Sequence, residues 1–273
     1  MALWRVQTAG GERLARGPVE GGPVELLKGD LDALLAAGSL DAEADGPVPA
    51  GSVVLAPVAG QEVWAAGVTY AASRSARNDE SKGAHDFYDK VYDAERPEIF
   101  FKSQPEKAVP AGQAVGIRRD ATWNVPEPEL ALVLNSRGRI AGYTIGNDMS
   151  SRDIEGANLL YLPQAKIYDR SCALGPWITL GATEDEARQW TIRIAIERGG
   201  QAVFGGEISV GQIKRRFDSL AEFLFRSQKF PHGAVLLTGT GIVPADDFTL
   251  QAGDRIEMRV SGIGTLTNSV VVV

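Results

Sequence analysis

Two glutamates that lie two positions apart behind prolines form the most informative pattern in the chain. In the stretch VPEPELALV, Pro126 and Pro128 restrict the residues before them to extended backbone, so Glu127 is held extended. Side chains two apart on a strand share a face, which predicts Glu127 and Glu129 with backbones roughly 6 to 7 Å apart. Because proline donates no ladder hydrogen bond, this end of the strand is expected to be irregular or at a sheet edge. The pattern predicts two carboxylates that can share one ion.

A third acid joins this pair if the chain folds back as a hairpin. A four-residue turn over residues 135–138 predicts a register in which Glu129 lies opposite Thr144. The same register sets Val125 opposite Asp148, and directly opposed residues share a face of the sheet. Asp148 is therefore predicted on the same face as the glutamates, at the same end of the hairpin.

Three carboxylates on one face repel one another, which disfavours their ionised forms unless a cation neutralises them. Oxygen ligands without cysteine or histidine favour Mg²⁺, with Mn²⁺ or Ca²⁺ as alternatives, over zinc. Three protein ligands leave coordination positions for water and substrate, as in catalytic sites. The alternative is a solvated acidic edge strand that deters aggregation. The continuous apolar run that follows, LALVL, favours the metal.

The elements that must position these acids are mostly strands. Short runs of β-branched and aromatic residues between turn signals predict a β-dominated body. The predicted strands are EIFFK, LALVL, IAGYTIG, WTIRIAIERG, AVLLTGTGIV and RIEMRVSGIGTLTNSVVVV. One helix interrupts them in IKRRFDSLAEFLFRSQ, where an apolar stripe is formed by Ile213, Phe217, Leu220, Phe223 and Leu224.

A change of composition near Glu62 predicts two domains. Residues 1–62 alternate short apolar bursts with glycine, proline and acids, which is typical of a small N-terminal domain. They contain one predicted amphipathic helix, Leu31–Ala37, after a capping signal at Asp30. Residues 63–273 form the larger domain that carries the acids.

Composition excludes several classes of partner. The 273 residues carry a net charge of −7 with dispersed Lys and Arg, which argues against nucleic acid. The first residues turn polar too soon for a signal peptide, and no run reaches the length of a transmembrane helix. The single cysteine, Cys172, excludes an intrachain disulfide, favours a reducing compartment and is typical of a core position. We therefore predict a cytoplasmic protein without nucleic-acid or membrane partners.

Several stretches of the chain resemble the fumarylacetoacetate hydrolase family. They are GVTY, EIFFK, PEPELALV, GYTIGNDMSSRD, QAKIYDRSCALGPWI and LLTGTGIVP, which keep the family order from Gly67 to Pro244. The resemblance implies an α+β, β-rich fold, a mixed β-roll with a small N-terminal domain, assembled as a homodimer or homotetramer. It also implies that Glu127, Glu129 and Asp148 bind Mg²⁺, in agreement with the face predicted from the register.

The hydrolases of this family activate water with a histidine and a glutamate just after the GLNY-like motif. This chain reads GVTYAASRSA, with Ser73 and Ala76 at the two positions, so that dyad is missing. His85 either replaces the base or simply faces solvent. It lies in the polar stretch 71–94, which is either a surface helical hairpin or a mobile cover over a site.

Two stretches, YDKVYDAERPEIFFK and NDMSSRDIEGANLLYLPQAKIYD, resemble a subgroup of the family more closely. This subgroup consists of dehydratases of 2-keto-3-deoxy-D-arabinonate or D-xylonate that form 2,5-dioxopentanoate. The resemblance implies a small 2-keto acid as substrate and a lyase reaction through a metal-stabilised enolate, in which no water attacks. The alternatives are a Mg²⁺-dependent C–C hydrolase of acylpyruvate or fumarylacetoacetate type and a relative that binds a ligand without turnover.

In that subgroup, residues that correspond to Glu98 and Lys166 border the substrate. A cation beside Lys166 favours its neutral amine, which can then remove a proton from C3 of the keto acid. Alternatively, Lys166 is a surface residue paired with Asp169. Glu98 alternates with Lys102 on a strand and can project into a cavity as an acid–base group, or it pairs with Lys102.

Thr240, Phe100, Arg152 and Ser73 complete the predicted substrate contacts. Thr240 stands between glycines that let the backbone approach a ligand, unless TGTGIVP is an ordinary glycine turn. Arg152 pairs either with the substrate carboxylate or with Asp153. Phe100 shares the strand face of the predicted acid–base group, and Ser73 follows the GVTY motif.

Overall fold

The protein is described by a computed structural model that covers residues 1–19, 21–72 and 85–273. Its strands are β1 (Ala2–Thr8), β2 (Gly11–Gly17), β3 (Glu25–Leu27), β4 (Ala44–Pro47), β5 (Val53–Leu55), β6 (Glu62–Gly67), β7 (Glu98–Ser103), β8 (Ala114–Ile117), β9 (Asn124–Val125), β10 (Pro128–Leu134), β11 (Ile140–Asp148), β12 (Ser150–Ser151), β13 (Cys172–Thr179), β14 (Thr191–Arg198), β15 (Gln201–Ser209), β16 (Ala234–Leu237), β17 (Arg255–Val260) and β18 (Gly264–Val272). Its helices are α1 (Leu31–Ala37), α2 (His85–Asp93), α3 (Arg152–Ala157), α4 (Leu162–Lys166), α5 (Glu184–Ala187) and α6 (Phe217–Phe225). Short 3₁₀ turns lie at Pro105–Lys107, Leu159–Tyr161 and Val210–Gln212.

Two mixed sheets contain most of these strands. The larger sheet has the order β4-β3-β2-β1-β13-β11-β10-β16-β6-β7, with β5 paired to β1. The smaller sheet has the order β15-β14-β17-β18-β8, and β9 pairs separately with β12. The β16–β6 and β18–β8 pairs are parallel, whereas the hairpins are antiparallel. The predicted α+β, β-rich fold class is confirmed.

Strand β10 lies inside the larger sheet, between β11 and β16, and is buried on both faces. Leu130, Leu132 and Leu134 share one hydrophobic core with the smaller sheet and α6. Ala131 and Val133 pack on the opposite face, in the core that contains α1. A strand covered on both faces needs apolar residues at every position, which explains the run LALVL. The predicted edge position is therefore wrong, whereas the predicted irregularity is confirmed by the break between β9 and β10.

The β10–β11 hairpin has a register different from the predicted one. Glu129 lies opposite Gly146, not Thr144. The connection is formed by residues 135–139, one more than predicted, and an adjacent β-bulge adds a second position. Because side chains alternate with a period of two, these two shifts together return Asp148 to the predicted face. Val125 was predicted to lie opposite Asp148, but it lies opposite Ser150 because β9 pairs with β12.

The N-terminal strands continue the larger sheet. Ala2 of β1 lies opposite Thr179 of β13. Helix α1 begins and ends where predicted, and the Asp30 side chain caps it by accepting a 2.8 Å hydrogen bond from the Ala33 backbone N–H. The division of the chain at Glu62 stays a prediction.

Helix α6 is shorter than predicted and begins at Phe217. The preceding backbone is bonded to distant parts of the chain: Ile213 O accepts from the Arg188 guanidinium at 2.9 Å. Likewise, the Lys214 backbone N–H donates to Thr69 O at 3.0 Å. These tertiary hydrogen bonds satisfy the backbone groups of Ile213 and Lys214, which the first turn of a longer helix would otherwise contain.

Two further expectations concern burial and the polar stretch. Cys172 is buried, as predicted, and burial raises the pKa of its thiol to about 12. Of the polar stretch 71–94, residues 73–84 lie outside the described residues, so that a surface helical hairpin and a mobile cover both stay predictions. None of the helices in the described parts of the chain combines the length and hydrophobicity needed to span a membrane.

Candidate metal centre and active site

Glu127, Glu129 and Asp148 converge where β10 begins and β11 ends. Each offers one carboxylate oxygen, and these oxygens lie within 4.8 Å of one another. The side chains are buried, with residue exposures of 3%, 1% and 1%. The backbone holds the arrangement, because the Asp148 N–H donates to Glu127 O at 3.0 Å. A solvated acidic edge is therefore the wrong interpretation, since buried carboxylates require compensating charge.

Three buried cations contact these acids. Lys166 Nζ lies 2.8 Å from Glu127 Oε2 and 3.3 Å from Asp148 Oδ2. Lys102 Nζ lies 2.6 Å from Asp148 Oδ1, and Arg152 Nη2 lies 2.9 Å from Glu127 Oε1. Lys166 is therefore not a surface residue, and its ammonium group bridges two of the predicted metal ligands.

Short helices bring Arg152 and Lys166 to the acids. Arg152 is the first residue of α3, and Lys166 is the last residue of α4. Lys166 Nζ also donates to Ser150 Oγ at 2.5 Å. The alternative partners proposed from sequence have other contacts: the Asp153 carboxylate accepts from the Thr122 backbone N–H at 2.7 Å. The Asp169 carboxylate lies 4.0 Å from the Arg170 guanidinium.

Strand β7 supplies Glu98, Phe100 and Lys102 on one face, as the alternation predicts. The Phe100 ring centroid lies 5.8 Å from Lys166 Nζ, which is within the range of a cation–π contact. Glu98 lies opposite Gly67 of β6. A side chain at Gly67 would overlap the Glu98 carboxylate, so the glycine allows this carboxylate to lie across β6. An ion pair between Glu98 and Lys102 is not formed, because Lys102 pairs with Asp148.

The residues after β16 complete the site on the Glu129 side. The Gly239 backbone N–H donates to Glu129 Oε2 at 2.6 Å. Gly239 has a φ of 89°, a left-handed conformation that favours glycine. Thr240 follows it and accepts a 3.3 Å hydrogen bond on Oγ1 from the Ile242 N–H. The glycine next to Thr240 therefore positions a donor for an acid as well as forming a turn.

The electrostatics of Glu129 follow from this burial. Burial raises the pKa of Glu129 well above its usual range, and the charges of Asp148 and Glu127 raise it further. The Lys166 charge and the Gly239 N–H oppose the shift of this pKa. The local cations therefore compensate the acids only in part, and a divalent cation in the site would favour the ionised form of Glu129.

One cavity brings most of the predicted site residues together. Its wall is formed by Ala66, Gly67, Val68, Glu98, Phe100, Glu127, Glu129, Asp148, Arg152, Glu155, Lys166, Gly239 and Thr240. Ser73 lies outside the described residues. Sequence reasoning missed Lys102 and the Gly239 N–H. The alternation on β7 carried a signal for Lys102, whereas no local pattern identifies a backbone donor.

The donor set fits a hard divalent cation. The candidate ligands are carboxylate oxygens, the only sulfhydryl of the chain is buried Cys172, and the cluster contains no histidine. Such all-oxygen sets are typical of Mg²⁺, Mn²⁺ and Ca²⁺. Glu127, Glu129 and Asp148 can hold the ion. Fold and site thus define an α+β protein with a candidate site for metal-assisted chemistry.

Comparison with known proteins places the chain in a family. The sequence model for the fumarylacetoacetate (FAA) hydrolase C-terminal family matches residues 62–271. The chain belongs to the fumarylacetoacetate hydrolase family. This confirms the resemblance seen in the GVTY, PEPELALV and LLTGTGIVP stretches.

Two relatives and one solved structure are closely similar to the chain. A probable 2-keto-3-deoxyxylonate dehydratase of Haloferax volcanii is 48% identical over 217 residues, which are 80% of this chain and 74% of the relative. A 2-dehydro-3-deoxy-D-arabinonate dehydratase of Saccharolobus solfataricus is 42% identical over 220 residues, 78% of this chain and 73% of the relative. The structure of a 2-keto-3-deoxy-D-arabinonate dehydratase complexed with magnesium and 2,5-dioxopentanoate matches with a TM-score of 0.88 at 34% identity, and the match covers 100% of this chain and 99% of that one.

Proposed function

We propose that this protein is a Mg²⁺-dependent dehydratase that converts a 2-keto-3-deoxy pentonate to 2,5-dioxopentanoate. Two relatives that match 80% and 78% of its length are named as dehydratases of such acids. A solved structure of the same fold is described as a complex with magnesium and 2,5-dioxopentanoate. In this chain, Glu127, Glu129 and Asp148 would hold the cation.

The single observation that carries the proposal is the position of Lys166. Its ammonium nitrogen is buried 2.8 Å from Glu127 and 3.3 Å from Asp148, and it lines the cavity. A proton-transfer group is therefore built directly beside the predicted ligands. The positions of the hydrolytic dyad carry Ser73 and Ala76 in the sequence, so the proposal assigns proton transfer to other residues.

The reaction requires one base and one acid. A Mg²⁺ held by Glu127, Glu129 and Asp148 would make the C3 protons of a 2-keto acid more acidic. Lys166, as the neutral amine, removes one C3 proton, and Glu98, in its protonated form, protonates the 4-hydroxyl, which leaves as water with formation of the C3–C4 double bond. A proton then moves from C5 to C3, and the resulting C4–C5 enol becomes the aldehyde.

The remaining polar groups orient the substrate. Arg152 and Thr240 both line the cavity. Arg152 contacts Glu127, and Thr240 directly follows Gly239, whose N–H donates to Glu129. We infer that Arg152 compensates the substrate carboxylate and that Thr240 and Phe100 contact its carbon chain. Ser73 is retained as a predicted contact from the resemblance alone.

A panel of substrates tests the proposal. The purified protein is incubated with Mg²⁺ and either 2-keto-3-deoxy pentonates or acylpyruvates, and the products are weighed by mass spectrometry. We expect a product lighter by one water from the pentonates. A Glu127→Gln, Glu129→Gln variant should form no product, whereas Glu43→Gln, at an exposed acid paired with Lys28, should match the wild type. Two carbon fragments from an acylpyruvate, without dehydration of any pentonate, would contradict the proposal.

His85 separates the dehydratase from the rival C–C hydrolase. A hydrolase needs a residue that activates water, and His85, the first residue of α2, is the histidine available in the polar stretch. We expect His85→Ala to leave the rate of dehydration nearly unchanged. Loss of turnover in His85→Ala with the affinity for Mg²⁺ unchanged would favour the hydrolase.

We further infer that the protein is a cytoplasmic homodimer or homotetramer. The assembly follows from the family resemblance, and the location is supported by the single buried cysteine. Sedimentation equilibrium measures the mass directly. A monomer of 29.1 kDa at micromolar concentration would contradict the proposed assembly.

A further inference from the structure

One oxygen of each candidate ligand contacts a neighbouring donor or cation. Arg152 Nη2 donates to Glu127 Oε1 at 2.9 Å, and Gly239 N donates to Glu129 Oε2 at 2.6 Å. Lys102 Nζ lies 2.6 Å from Asp148 Oδ1 as an ion pair, without the geometry of a hydrogen bond. The second oxygens of Glu127 and Asp148 both point to Lys166, which lines the cavity. Glu127 and Asp148 therefore each have one oxygen at Lys166, a residue of the cavity wall, and the other oxygen at a second cation.

Lys102 is anchored to the main chain of two other segments. It is 0% exposed, and its Nζ donates to Met149 O at 2.9 Å and also to Lys166 O. Two of its three contacts are thus main-chain carbonyls, which do not move when the Asp148 carboxylate rotates. The ammonium group holds Asp148 Oδ1 in place while it ties the end of α4 to the same point.

Lys102 also differs from the other donors in its relation to the cavity. Arg152 and Gly239 line the cavity, whereas Lys102 is not among the residues of its wall. A substitution of Lys102 therefore changes the surroundings of Asp148 without removing a group that faces the cavity. Its effect on the metal can be measured without substrate.

The number of oxygens that an acid can offer decides which cation the site prefers. Mg²⁺ demands a near-ideal octahedron, whereas Ca²⁺ accepts six to eight oxygens and often binds a carboxylate through both. While Lys102 stays at Asp148 Oδ1, the oxygen that Asp148 can offer to a metal is Oδ2, which lies 3.3 Å from the cavity-lining Lys166. Ligands of this kind, one oxygen each, suit a small octahedral ion with open positions for substrate.

We propose that Lys102 is a positioning residue that sets the metal preference of the site, because it restricts Asp148 to one ligand oxygen and so favours Mg²⁺ over Ca²⁺. This inference rests on the metal site of the proposed function. Without Lys102, Asp148 Oδ1 becomes available and the site can offer Ca²⁺ an additional oxygen. The ratio of the two affinities should therefore report on Lys102 directly.

Isothermal titration calorimetry with Mg²⁺ and with Ca²⁺, in the absence of substrate, tests this proposal. In Lys102→Met, which keeps the length of the side chain, we expect the ratio Kd(Ca²⁺)/Kd(Mg²⁺) to fall about tenfold or more, the size typical for partners of metal ligands. The matched control is Arg198→Met, which removes the 2.8 Å partner of the fully buried Asp254 far along the chain. The control should leave the ratio unchanged within about twofold, as expected for a site without contact to the ligands.

The ratio separates coordination from simple charge. Removal of one positive charge strengthens the binding of both divalent ions by a similar factor, since both carry the same charge. General loosening of the site weakens both. Equal changes in the two Kd values, in either direction, would therefore overturn the role of Lys102. If the wild type binds Mg²⁺ and the ratio does not change, only this inference fails; if the wild type binds no divalent ion, the proposed function fails with it.

A second measurement uses the wild type alone and is decisive if Lys102→Met does not fold. Crystals of the protein are grown with Mg²⁺ and with Ca²⁺. We expect Asp148 to bind either ion through a single oxygen, with Lys102 still on Oδ1. A Ca²⁺ complex in which both Asp148 oxygens bind the ion and Lys102 has moved away would refute the proposal.

Discussion

Binding of Mg²⁺ should be coupled to the release of a proton from Glu129. The pKa of this buried carboxyl lies well above its usual range because of burial and the charges of Asp148 and Glu127. Below that raised pKa, the cation must displace a proton before Glu129 can act as a ligand. The affinity for Mg²⁺ should then weaken by up to about tenfold, or about 1.4 kcal/mol, for each unit by which the pH falls below the raised pKa.

The same pKa determines how stability depends on pH. Because the pKa is raised by folding, the folded protein binds this proton more tightly than the unfolded chain does. Without metal, this contribution to the free energy of unfolding is complete below the usual glutamate pKa and is lost as the pH rises through the raised value. Mg²⁺ at a hundred times its Kd adds about 2.7 kcal/mol to the free energy of unfolding. At a fixed Mg²⁺ concentration, the Kd falls as the pH rises toward the raised pKa, so the difference in Tm with and without Mg²⁺ should grow with pH.

Calorimetric titration in two buffers of different ionisation enthalpy counts the released protons. For the wild type we expect the count to approach one per Mg²⁺ at pH values below the raised pKa. Glu129→Gln has no proton to release there and should bind Mg²⁺ more weakly, whereas the exposed-site control Glu43→Gln should behave as the wild type. Equal heats in both buffers, together with an affinity independent of pH, would refute this reasoning.

Two further substitutions test the chemistry and the core. Lys166→Met should lower kcat by about 10²- to 10⁴-fold, the usual contribution of a general base, while calorimetry still detects Mg²⁺ binding; a rate close to that of the wild type would exclude Lys166 as the base. Leu132→Ala, at a fully buried position of β10, should lower the free energy of unfolding by about 2–5 kcal/mol in urea titrations. A loss below about 1 kcal/mol would mean that the surrounding core collapses into the space left by the leucine side chain.

Local patterns predicted the main elements of the site well. The bounds of α1 follow from the Asp30 cap, and the strands β7, β10, β11 and β14 were recognised from their composition. The face shared by Glu127 and Glu129 depends only on strand alternation and was predicted without knowledge of the sheet. Helix α6 was predicted too long because the backbone before Phe217 is bonded to the distant side chain of Arg188, a contact that no helical pattern reveals.

Non-local features were harder to predict. The central position of β10 depends on β16, which joins it from far along the chain. The predicted register was wrong by two positions, and the face of Asp148 was correct only because the longer connection and the β-bulge each add one. Lys102 was considered only as a partner of Glu98, since its contact with Asp148 exists only after β7 and β11 are folded into the same sheet.

The amino-acid sequence by itself determined that two glutamates stand on one face behind prolines, because φ restriction and strand alternation act between neighbouring residues. Only the tertiary structure decided that these acids are buried and that Arg152, Lys102 and Lys166 compensate them. Those features arise from contacts between segments distant in the chain. Their geometry depends on sheet order, connection length and the packing of short helices, which no local pattern specifies.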